Sequence, residues 1–225
     1  MSRYAVYAVP GADEADPSAA VRLRQAAHAW YAREDVRDLT VNARRYGFHA
    51  TLKAPFRLAE GRTEAELRQA ADEFAASRRP VAIPGPQVAA IDGFRALLPD
   101  GEASDLDSLA ADAVSRFEEF RAPLGVAEIR RRHPEQLNQR QRNLLERWGY
   151  PYVLEEFRFH LTLTDNIPTE RAPEIDAALG EHFADVAGID VPVTAIVISI
   201  EQEPGAAFRL LSVHPFTCRP SLETA

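Results

Sequence analysis

The sequence predicts an α+β fold in which two similar lobes, each an antiparallel β-sheet flanked by helices, enclose a cleft. The first observation is a repeated pattern. Residues 48–52 read Phe-His-Ala-Thr-Leu, and residues 159–163 read Phe-His-Leu-Thr-Leu. Side chains alternate across a strand, so each stretch presents a histidine and a threonine on one face and apolar side chains on the other. We refer to these stretches as the first and the second motif.

The second and third observations concern the segments that come after the two motifs. Both motifs are succeeded, in the same order, by a turn containing proline, an amphipathic helix, a proline-flanked strand and a strand that begins with Phe-Arg. The spacing recurs as well, since Phe94 lies 45 residues after His49 and Phe208 lies 48 residues after His160. We interpret the recurrence as an internal duplication. A pseudo-two-fold axis would then turn the two His/Thr faces toward each other across the cleft.

Local patterns predict the elements of the first half. Residues 4–9 predict a strand, and Asp16 followed by Pro17 predicts the start of a helix that runs to about residue 31. Thr63 and Glu66 form a capping box that starts the next helix. Residues 81–91 contain prolines, which predict a strand that is broken by a bulge or lies at a sheet edge. The buried faces predicted for the two helices are Ala20, Leu23, Ala27 and Trp30 in one, and Leu67, Ala70, Ala71 and Phe74 in the other.

The second half adds a segment that has no counterpart in the first. Leucine, alanine and phenylalanine at helical spacing over residues 106–120 predict a helix that bridges the halves. Within residues 121–152, Pro134 starts a further helix and Gly149 ends it. This insert is either a lid or recognition segment for substrate, or a structural insert with solvated charges. We expect a single domain over residues 1–225, with lobes at about 1–100 and 150–220 and the bridge and insert at about 104–150.

Composition narrows the class of protein. A content of 46% hydrophobic and 27% charged residues is ordinary for a globular protein. No run approaches the ~18 apolar residues of a membrane span, and no signal sequence precedes the first strand, so we expect a cytoplasmic protein that does not bind membranes. Cys218 is the one cysteine, which excludes an intrachain disulfide. The net charge of −8 disfavours long nucleic acid but is compatible with a small phosphorylated substrate. Nothing in the sequence fixes the oligomeric state.

The paired motifs point to acid/base chemistry on a phosphate. Histidine can exist in both protonation states near neutral pH, so His49 and His160 can act as a base and an acid on opposite sides of one phosphorus atom. Thr51 and Thr162 can donate hydrogen bonds to the non-bridging oxygens. No metal or cofactor is required. The alternative is a two-histidine metal site completed by a distant carboxylate, which would leave the threonines without a role.

Strand alternation also suggests residues that contact the substrate. It places Lys53 on the His49 face and Arg158 and Thr164 on the His160 face, where the two cations could hold a phosphate group. Tyr46 and Tyr152 could line the mouth of the cleft. The alternative is that the charged side chains face solvent at strand ends and that the tyrosines belong to the core.

The chain resembles the 2H phosphoesterase superfamily, and most closely the branch found with phosphonate-utilisation (C–P lyase) genes. The resemblance begins at residues 3–7, extends over nearly the whole chain and shows no departure at the motif positions. Its most specific stretches are residues 46–56, 148–152 and 157–164. The resemblance implies a two-lobed fold, threonines that bind the phosphate and a role in phosphonate metabolism, with a ribose cyclic phosphate as one candidate substrate.

Our first hypothesis is therefore a metal-independent phosphodiesterase that hydrolyses a cyclic phosphate ester on a small sugar or nucleotide. The alternatives are a non-catalytic protein that binds sugar phosphates or RNA ends, and an RNA-end phosphodiesterase or ligase of the 2H type. A broad basic face beside the cleft would favour the last alternative.

Overall fold

The computed structural model describes residues 2–218, in which antiparallel sheets and flanking helices confirm the predicted α+β class. The strands are β1 (Arg3–Ala8), β2 (Ala50–Phe56), β3 (Val81–Ile83), β4 (Gln87–Ile91), β5 (Phe94–Leu98), β6 (Leu161–Thr162), β7 (Val191–Val193), β8 (Ala195–Glu201) and β9 (Arg209–Pro215). The helices are α1 (Ser18–Tyr31), α2 (Val41–Tyr46), α3 (Glu64–Ala76), α4 (Ser104–Arg116), α5 (Val126–Arg130), α6 (Gln139–Trp148) and α7 (Ala172–Phe183).

The sheets combine strands from both halves of the sequence. One sheet has the order β2-β1-β8-β9, so the strand of the first motif lies in the same sheet as the hairpin of the second half. A second sheet has the order β4-β5-β6, so the strand of the second motif pairs with the hairpin of the first half. The lobes expected at about 1–100 and 150–220 therefore do not delimit the sheets. The reason is that each hairpin takes its third strand from the other half of the chain.

The helices and the short strands show the same exchange. Helix α3 of the first half packs on β8 and β9, and α7 of the second half packs on β4. The proline-flanked strands β3 and β7 pair with each other in antiparallel register, Val81 opposite Val193 and Ile83 opposite Val191. Equivalent strands that pair in this way are expected beside a pseudo-two-fold axis. The order of elements after each motif thus recurs in space as well as in sequence.

Turn and cap residues explain where the elements begin and end. The side chain of Thr63 accepts a hydrogen bond from the backbone of Glu66 and completes the predicted capping box of α3. Pro84, Gly85 and Pro86 separate β3 from β4, as expected because proline cannot donate a hydrogen bond to a ladder. Asp92 and Gly93 both have positive φ angles (45° and 107°), the conformation that a tight hairpin turn requires.

Two predicted helix starts are shifted. Pro17 is the N-cap of α1 rather than its first helical residue. Pro134 starts a short 3₁₀ turn, and α6 begins only after Asn138, whose side chain accepts a hydrogen bond from the backbone of Gln141. The expected end of α6 at Gly149 is confirmed by its left-handed φ of 75°. Within residues 2–218, no helix is both long enough and apolar enough to cross a membrane.

Helix α1 fixes the position of the second motif. Its predicted apolar face is buried in the main core, with Tyr31 added to it. The indole Nε1 of Trp30 donates a hydrogen bond to the carbonyl of Leu163 at 3.0 Å. The hydroxyl of Tyr31 donates to the carbonyl of Thr162 at 2.5 Å. Because β6 is only two residues long, these bonds from a helix supply much of its anchoring.

We expect Trp30→Phe to lower the free energy of unfolding by roughly 2–4 kcal/mol, because it leaves a buried carbonyl without its donor and removes core volume. Trp148→Phe is the matched control, since Trp148 is only half-buried and its substitution should cost about 1 kcal/mol or less. Urea unfolding of both variants measures the difference. Equal costs would contradict an anchoring role for Trp30.

Candidate active site

The backbone just before β2 sets the orientation of His49. Gly47 ends α2 with φ 76° and ψ 174°, a conformation that is essentially confined to glycine. Its carbonyl lies 2.8 Å from Nδ1 of His49. A carbonyl only accepts, so Nδ1 carries the hydrogen and Nε2 of the neutral ring carries the lone pair. The local turn therefore fixes both the tautomer and the direction of the imidazole.

His160 repeats this geometry in the second motif. Its Nδ1 lies 2.7 Å from the carbonyl of Arg158, again the residue two positions earlier in the chain. The ring also packs near Phe94, with centroids 5.7 Å apart. By the same argument, the neutral His160 ring keeps its lone pair on Nε2. Both motifs thus present the same nitrogen of the ring for chemistry.

The two motifs meet at a pair of adjoining cavities. The first cavity, of about 210 Å³, is lined by His49, Thr51 and Thr162 among others. The second cavity, of about 650 Å³, is lined by His160 and again by Thr51. Ala54 and Tyr150 also line both cavities. Thr51 therefore stands at the junction, with His49 on one side and His160 on the other.

Burial favours the neutral form of both histidines. It lowers the pKa of His49 to about 4, although the hydrogen bond to Gly47 acts in the opposite direction. The charge of His160, when protonated, lowers the pKa of His49 further, as expected of two groups in one site. Burial also lowers the pKa of His160, against the hydrogen bond to Arg158.

Asp165 ties the second motif to the segment that carries His49. Its backbone N–H donates to the carbonyl of Leu39 at 2.6 Å. Its carboxylate accepts hydrogen bonds from the backbone N–H groups of Asn42 (2.9 Å) and Ala43 (3.2 Å) at the start of α2. Helix α2 then leads directly into Gly47 and the first motif. A residue just after the second motif thus helps to hold the first.

Tyr7 was not predicted as a site residue, but it lies against His49. The two rings have centroids 3.8 Å apart. Tyr7 lines the first cavity and sits directly opposite Thr51 in the pairing of β1 with β2. Its hydroxyl is buried and has no hydrogen-bond partner among the described residues. The position of Tyr7 depends on strand pairing, which the pattern of the first strand alone does not reveal.

A buried carboxylate holds two arginines at the same end of the site. Glu201 is fully buried at the end of β8 and pairs with Arg3 and with Arg45, the latter at 2.6 Å. Burial alone would raise the pKa of Glu201, but hydrogen bonds from Arg3, Arg45 and the backbone of Gly205 lower it to about 2. Arg3 lines the first cavity. Sequence reasoning missed both Arg3 and Glu201 because they meet through the pairing of β1 with β8.

Three of the residues suggested as substrate contacts line the cavities. Tyr46 lines the first cavity, where its ring stacks on Phe208 with centroids 5.1 Å apart. Arg158 and Tyr152 line the second cavity. The insert also contributes, since Arg132 lines the first cavity, Gln136 lines the second and Tyr150 lines both.

The suggested placement of Lys53 on the His49 face is wrong. Strand β2 bulges against β1, so that Lys53 lies opposite Val6 while Thr51 lies opposite Tyr7. Because Val6 and Tyr7 point to opposite faces, so do Lys53 and Thr51. Lys53 is buried, donates to the carbonyl of Val114 at 3.0 Å and pairs with Glu118. It stabilises the contact between β2 and α4 and lines neither of the two cavities within residues 2–218.

Thr164 is also placed away from the cavities. Its side chain is buried, and its Oγ1 accepts a hydrogen bond from the backbone N–H of Arg95 at 2.9 Å. It closes the junction between β5 and the end of the second motif.

Among the described residues, no group of three or more His, Cys, Asp or Glu side chains is arranged to hold a metal ion.

Comparison with known proteins gives a family and two groups of similar proteins. A family model described as "Protein of unknown function (DUF1045)" matches residues 51–209. A protein of Janthinobacterium sp. (strain Marseille) named ribose 1,5-bisphosphate phosphokinase PhnN is 39% identical over 223 residues, which cover 92% of this chain and 49% of that protein. The protein of the same name from Laribacter hongkongensis is 36% identical over 228 residues, which cover 92% and 50%. The chain thus spans about half the length of these relatives.

The solved structures that are similar to this chain have low sequence identity to it. The structure of E. coli LigT complexed with NADP+ has a TM-score of 0.45 and 14% identity, and the match covers 96% of this chain and 98% of LigT. The conserved protein of unknown function ATU0111 from Agrobacterium tumefaciens has a TM-score of 0.46 and 12% identity, with coverage of 94% and 85%.

In an NMR pH titration, we expect His49 to titrate near pH 4 and His160 below its ordinary 6.5, since burial disfavours the charged form of both. His160→Gln should raise the pKa of His49, because it removes a positive charge that opposes protonation. His28→Gln, on the exposed side of α1, is the control and should leave it unchanged. An unchanged His49 titration in His160→Gln would show that the two rings are not coupled.

We expect Lys53→Met to leave the affinity for inorganic phosphate unchanged while lowering the free energy of unfolding by roughly 1–3 kcal/mol, because it removes a buried ion pair outside the cavities. Arg158→Met is the matched comparison and should weaken phosphate binding, since Arg158 lines the second cavity. Phosphate titrations and thermal melts measure the two effects. If Lys53→Met weakened phosphate binding more than Arg158→Met, Lys53 would be a phosphate contact after all, as strand alternation predicts.

Proposed function

We propose that this chain, which belongs to the DUF1045 family of proteins of unknown function, is a metal-independent phosphodiesterase of the 2H type that hydrolyses a cyclic phosphate ester on a small sugar or nucleotide. One observation carries the proposal. His49 and His160 are held by the same bond from Nδ1 to the carbonyl two residues earlier, and they lie on either side of Thr51 at the junction of two cavities. This arrangement supports a pair of groups that act on one phosphate from opposite sides.

In the proposed reaction, Nε2 of neutral His49 takes a proton from water as the water oxygen bonds to phosphorus. The bond from phosphorus to one ester oxygen breaks, and that oxygen receives the proton from Nε2 of protonated His160. The product is a phosphomonoester with a free hydroxyl. His49 ends protonated and His160 neutral, and exchange with solvent resets the pair. In-line displacement of this kind needs the base and the acid on opposite sides of phosphorus.

The assignment of base and acid rests on the electrostatics of the two rings. Burial lowers the pKa of His49 to about 4, so at neutral pH His49 is ready to accept a proton. Burial also lowers the pKa of His160, and because the two rings repel each other when both are charged, a bound anion would leave one of them protonated and the other neutral. An anionic phosphate between the rings would favour the protonated form of the nearer histidine. We therefore assign the base to His49 and the acid to His160.

The threonines supply hydrogen bonds where charge develops. Thr51 and Thr162 both line the first cavity, and their hydroxyls can donate to the non-bridging oxygens of the phosphate. The carbonyl of Thr162 is already held by the hydroxyl of Tyr31, which fixes the backbone that carries its side chain. Preorganised donors stabilise a transition state without the cost of moving them during the reaction.

We further infer a role in phosphonate metabolism with a sugar phosphate as substrate. The resemblance to the branch found with phosphonate-utilisation genes supports this, as does the name of two relatives, ribose 1,5-bisphosphate phosphokinase PhnN. Because the chain spans about half of those relatives, the kinase activity in their name is not assigned to it. A substrate that contains ribose and phosphate is compatible with the size of the first cavity.

We expect His49→Ala and His160→Ala each to lower turnover of a cyclic phosphate by about 10²–10⁴-fold, the usual scale for a positioned acid or base. Binding of the substrate should fall far less, because the threonines and arginines remain. His28→Ala is the control, since His28 lies on the exposed side of α1. The measurement is a kinetic screen of 2′,3′-cyclic nucleotides and sugar cyclic phosphates, with and without a chelator.

Further variants separate this mechanism from its alternatives. Thr51→Val and Thr162→Val keep the shape of the side chain and should each cost up to roughly 10²–10³-fold in turnover. Activity that a chelator abolishes, and that the threonine substitutions leave intact, would favour the metal site instead. Binding of every cyclic phosphate without turnover of any would favour the non-catalytic alternative.

A further inference from the structure

We propose that the end of the first cavity formed by Arg3, Arg132 and Tyr7 binds a second phosphate group, so that the preferred substrate is a cyclic phosphodiester that also carries a phosphomonoester. This inference rests on the proposed function, because it concerns the substrate of the same site. We call this end of the cavity the second-phosphate subsite.

Arg3 is a positioned cation rather than a mobile one. Its Nε donates to Glu201, which is fully buried, and its side chain is only 18% exposed. The guanidinium also interacts with the hydroxyl of Tyr46, and its remaining N–H donors can serve a further acceptor. Because the pKa of Glu201 is held at about 2 by the hydrogen bonds it accepts, the carboxylate stays charged and Arg3 stays in place across the working pH range of most enzymes.

The local charge remains positive after this pairing. Glu201 pairs with Arg45 as well as with Arg3, so the three groups together carry one net positive charge. Of the two arginines, only Arg3 lines the first cavity among the described residues. A phosphate group at Arg3 would therefore meet a net positive cluster in a partly buried place, where charge-assisted hydrogen bonds are strongest.

Arg132 contributes a second cation from the insert. It lines the first cavity and lies over the ring of Tyr150, 4.8 Å from its centroid. Within residues 2–218 Arg132 makes no salt bridge, whereas Arg3 and Arg45 both pair with Glu201. The insert has no counterpart in the first half of the chain, so it makes one side of a pseudo-symmetric site different from the other. A substrate with one extra phosphate has the same asymmetry.

Tyr7 offers an unused donor at the same place. Its side chain is 1% exposed, and its hydroxyl has no partner among the described residues. Burial raises the pKa of Tyr7 well above its ordinary value, so the hydroxyl stays protonated and can donate to a phosphate oxygen. A buried hydroxyl without a partner costs stability, and binding a ligand group would offset that cost.

The charged residues that line the two cavities favour the first cavity as the place for the second phosphate group. Among residues 2–218, the first cavity is lined by two arginines and one carboxylate, that of Asp165, which already accepts hydrogen bonds from the start of α2. The second cavity is lined, over the same residues, by one arginine, Arg158, and two carboxylates, those of Asp92 and Glu156. The first cavity is thus the more favourable environment for an additional dianion.

The test is equilibrium binding of adenosine 2′,5′-bisphosphate and of adenosine 2′-monophosphate by calorimetry. We expect the wild type to bind the bisphosphate roughly 10–100-fold more tightly, the scale of one or two charge-assisted hydrogen bonds. Arg3→Met and Arg132→Met should each bring this ratio toward one. The matched control for Arg132 is Arg131→Met, beside it in the chain, which should keep the ratio. Arg45→Met leaves Arg3 and Glu201 as a neutral pair, so it should lower the ratio less than Arg3→Met does.

Tyr7→Phe gives an independent readout. It should lower the ratio while leaving thermal stability equal or higher, because it removes a buried hydroxyl without a partner. A structural role for the hydroxyl predicts the opposite effect on stability. Thermal melts of all variants establish that the arginine substitutions leave the chain folded.

Failure of this inference and failure of the proposed function are distinguishable, because both ligands are phosphomonoesters that report binding whether or not the chain hydrolyses a diester. Equal affinity of the wild type for the two ligands, or no binding of the bisphosphate at millimolar concentration, would overturn the subsite. The same holds if Arg131→Met or Arg45→Met removes the preference as completely as Arg132→Met or Arg3→Met. A preserved preference without hydrolysis of any cyclic phosphate would overturn only the proposed function.

Discussion

The site depends on the link that Asp165 makes between two sheets. The strands of the two motifs belong to different sheets, so no ladder of backbone hydrogen bonds sets the distance between His49 and His160. Asp165 supplies the connection, because its backbone bonds to Leu39 and its carboxylate caps α2. From there the chain passes through Gly47, whose φ and ψ leave little freedom. A carboxylate that takes no part in the proposed chemistry thus helps to set the relative position of the two proposed catalytic groups.

Burial and charge give the two similar motifs different properties. Both histidines have the same bond to the carbonyl two residues earlier, and burial lowers the pKa of both. Tyr7 covers one ring at 3.8 Å and Phe94 approaches the other at 5.7 Å. The insert and the Glu201 cluster add cations on one side only. The two similar motifs therefore lie in different electrostatic surroundings.

The sequence was sufficient for the features that depend on local pattern. Strand alternation identified the His and Thr residues of both motifs, and the capping box and the glycine at the end of α6 located helix ends. The prediction from alternation failed for Lys53, because a bulge in β2 turns this residue to the other face of the strand. The pattern of polar and apolar residues does not reveal such a bulge. Arg3, Tyr7 and Glu201 were out of reach for another reason. Their positions depend on the pairing of β1 with β2 and β8, which joins residues far apart in the chain.

The exchange of strands between the halves has a consequence for how the chain can be divided. A hairpin that takes its third strand from the other half cannot complete its sheet alone, and an open sheet edge invites pairing with another chain. In this chain the two halves complete each other's sheets, because β1 pairs with β8 and β6 pairs with β5. A cut in the connection between β5 and α4 would therefore yield fragments that regain their structure by complementing each other, not separately.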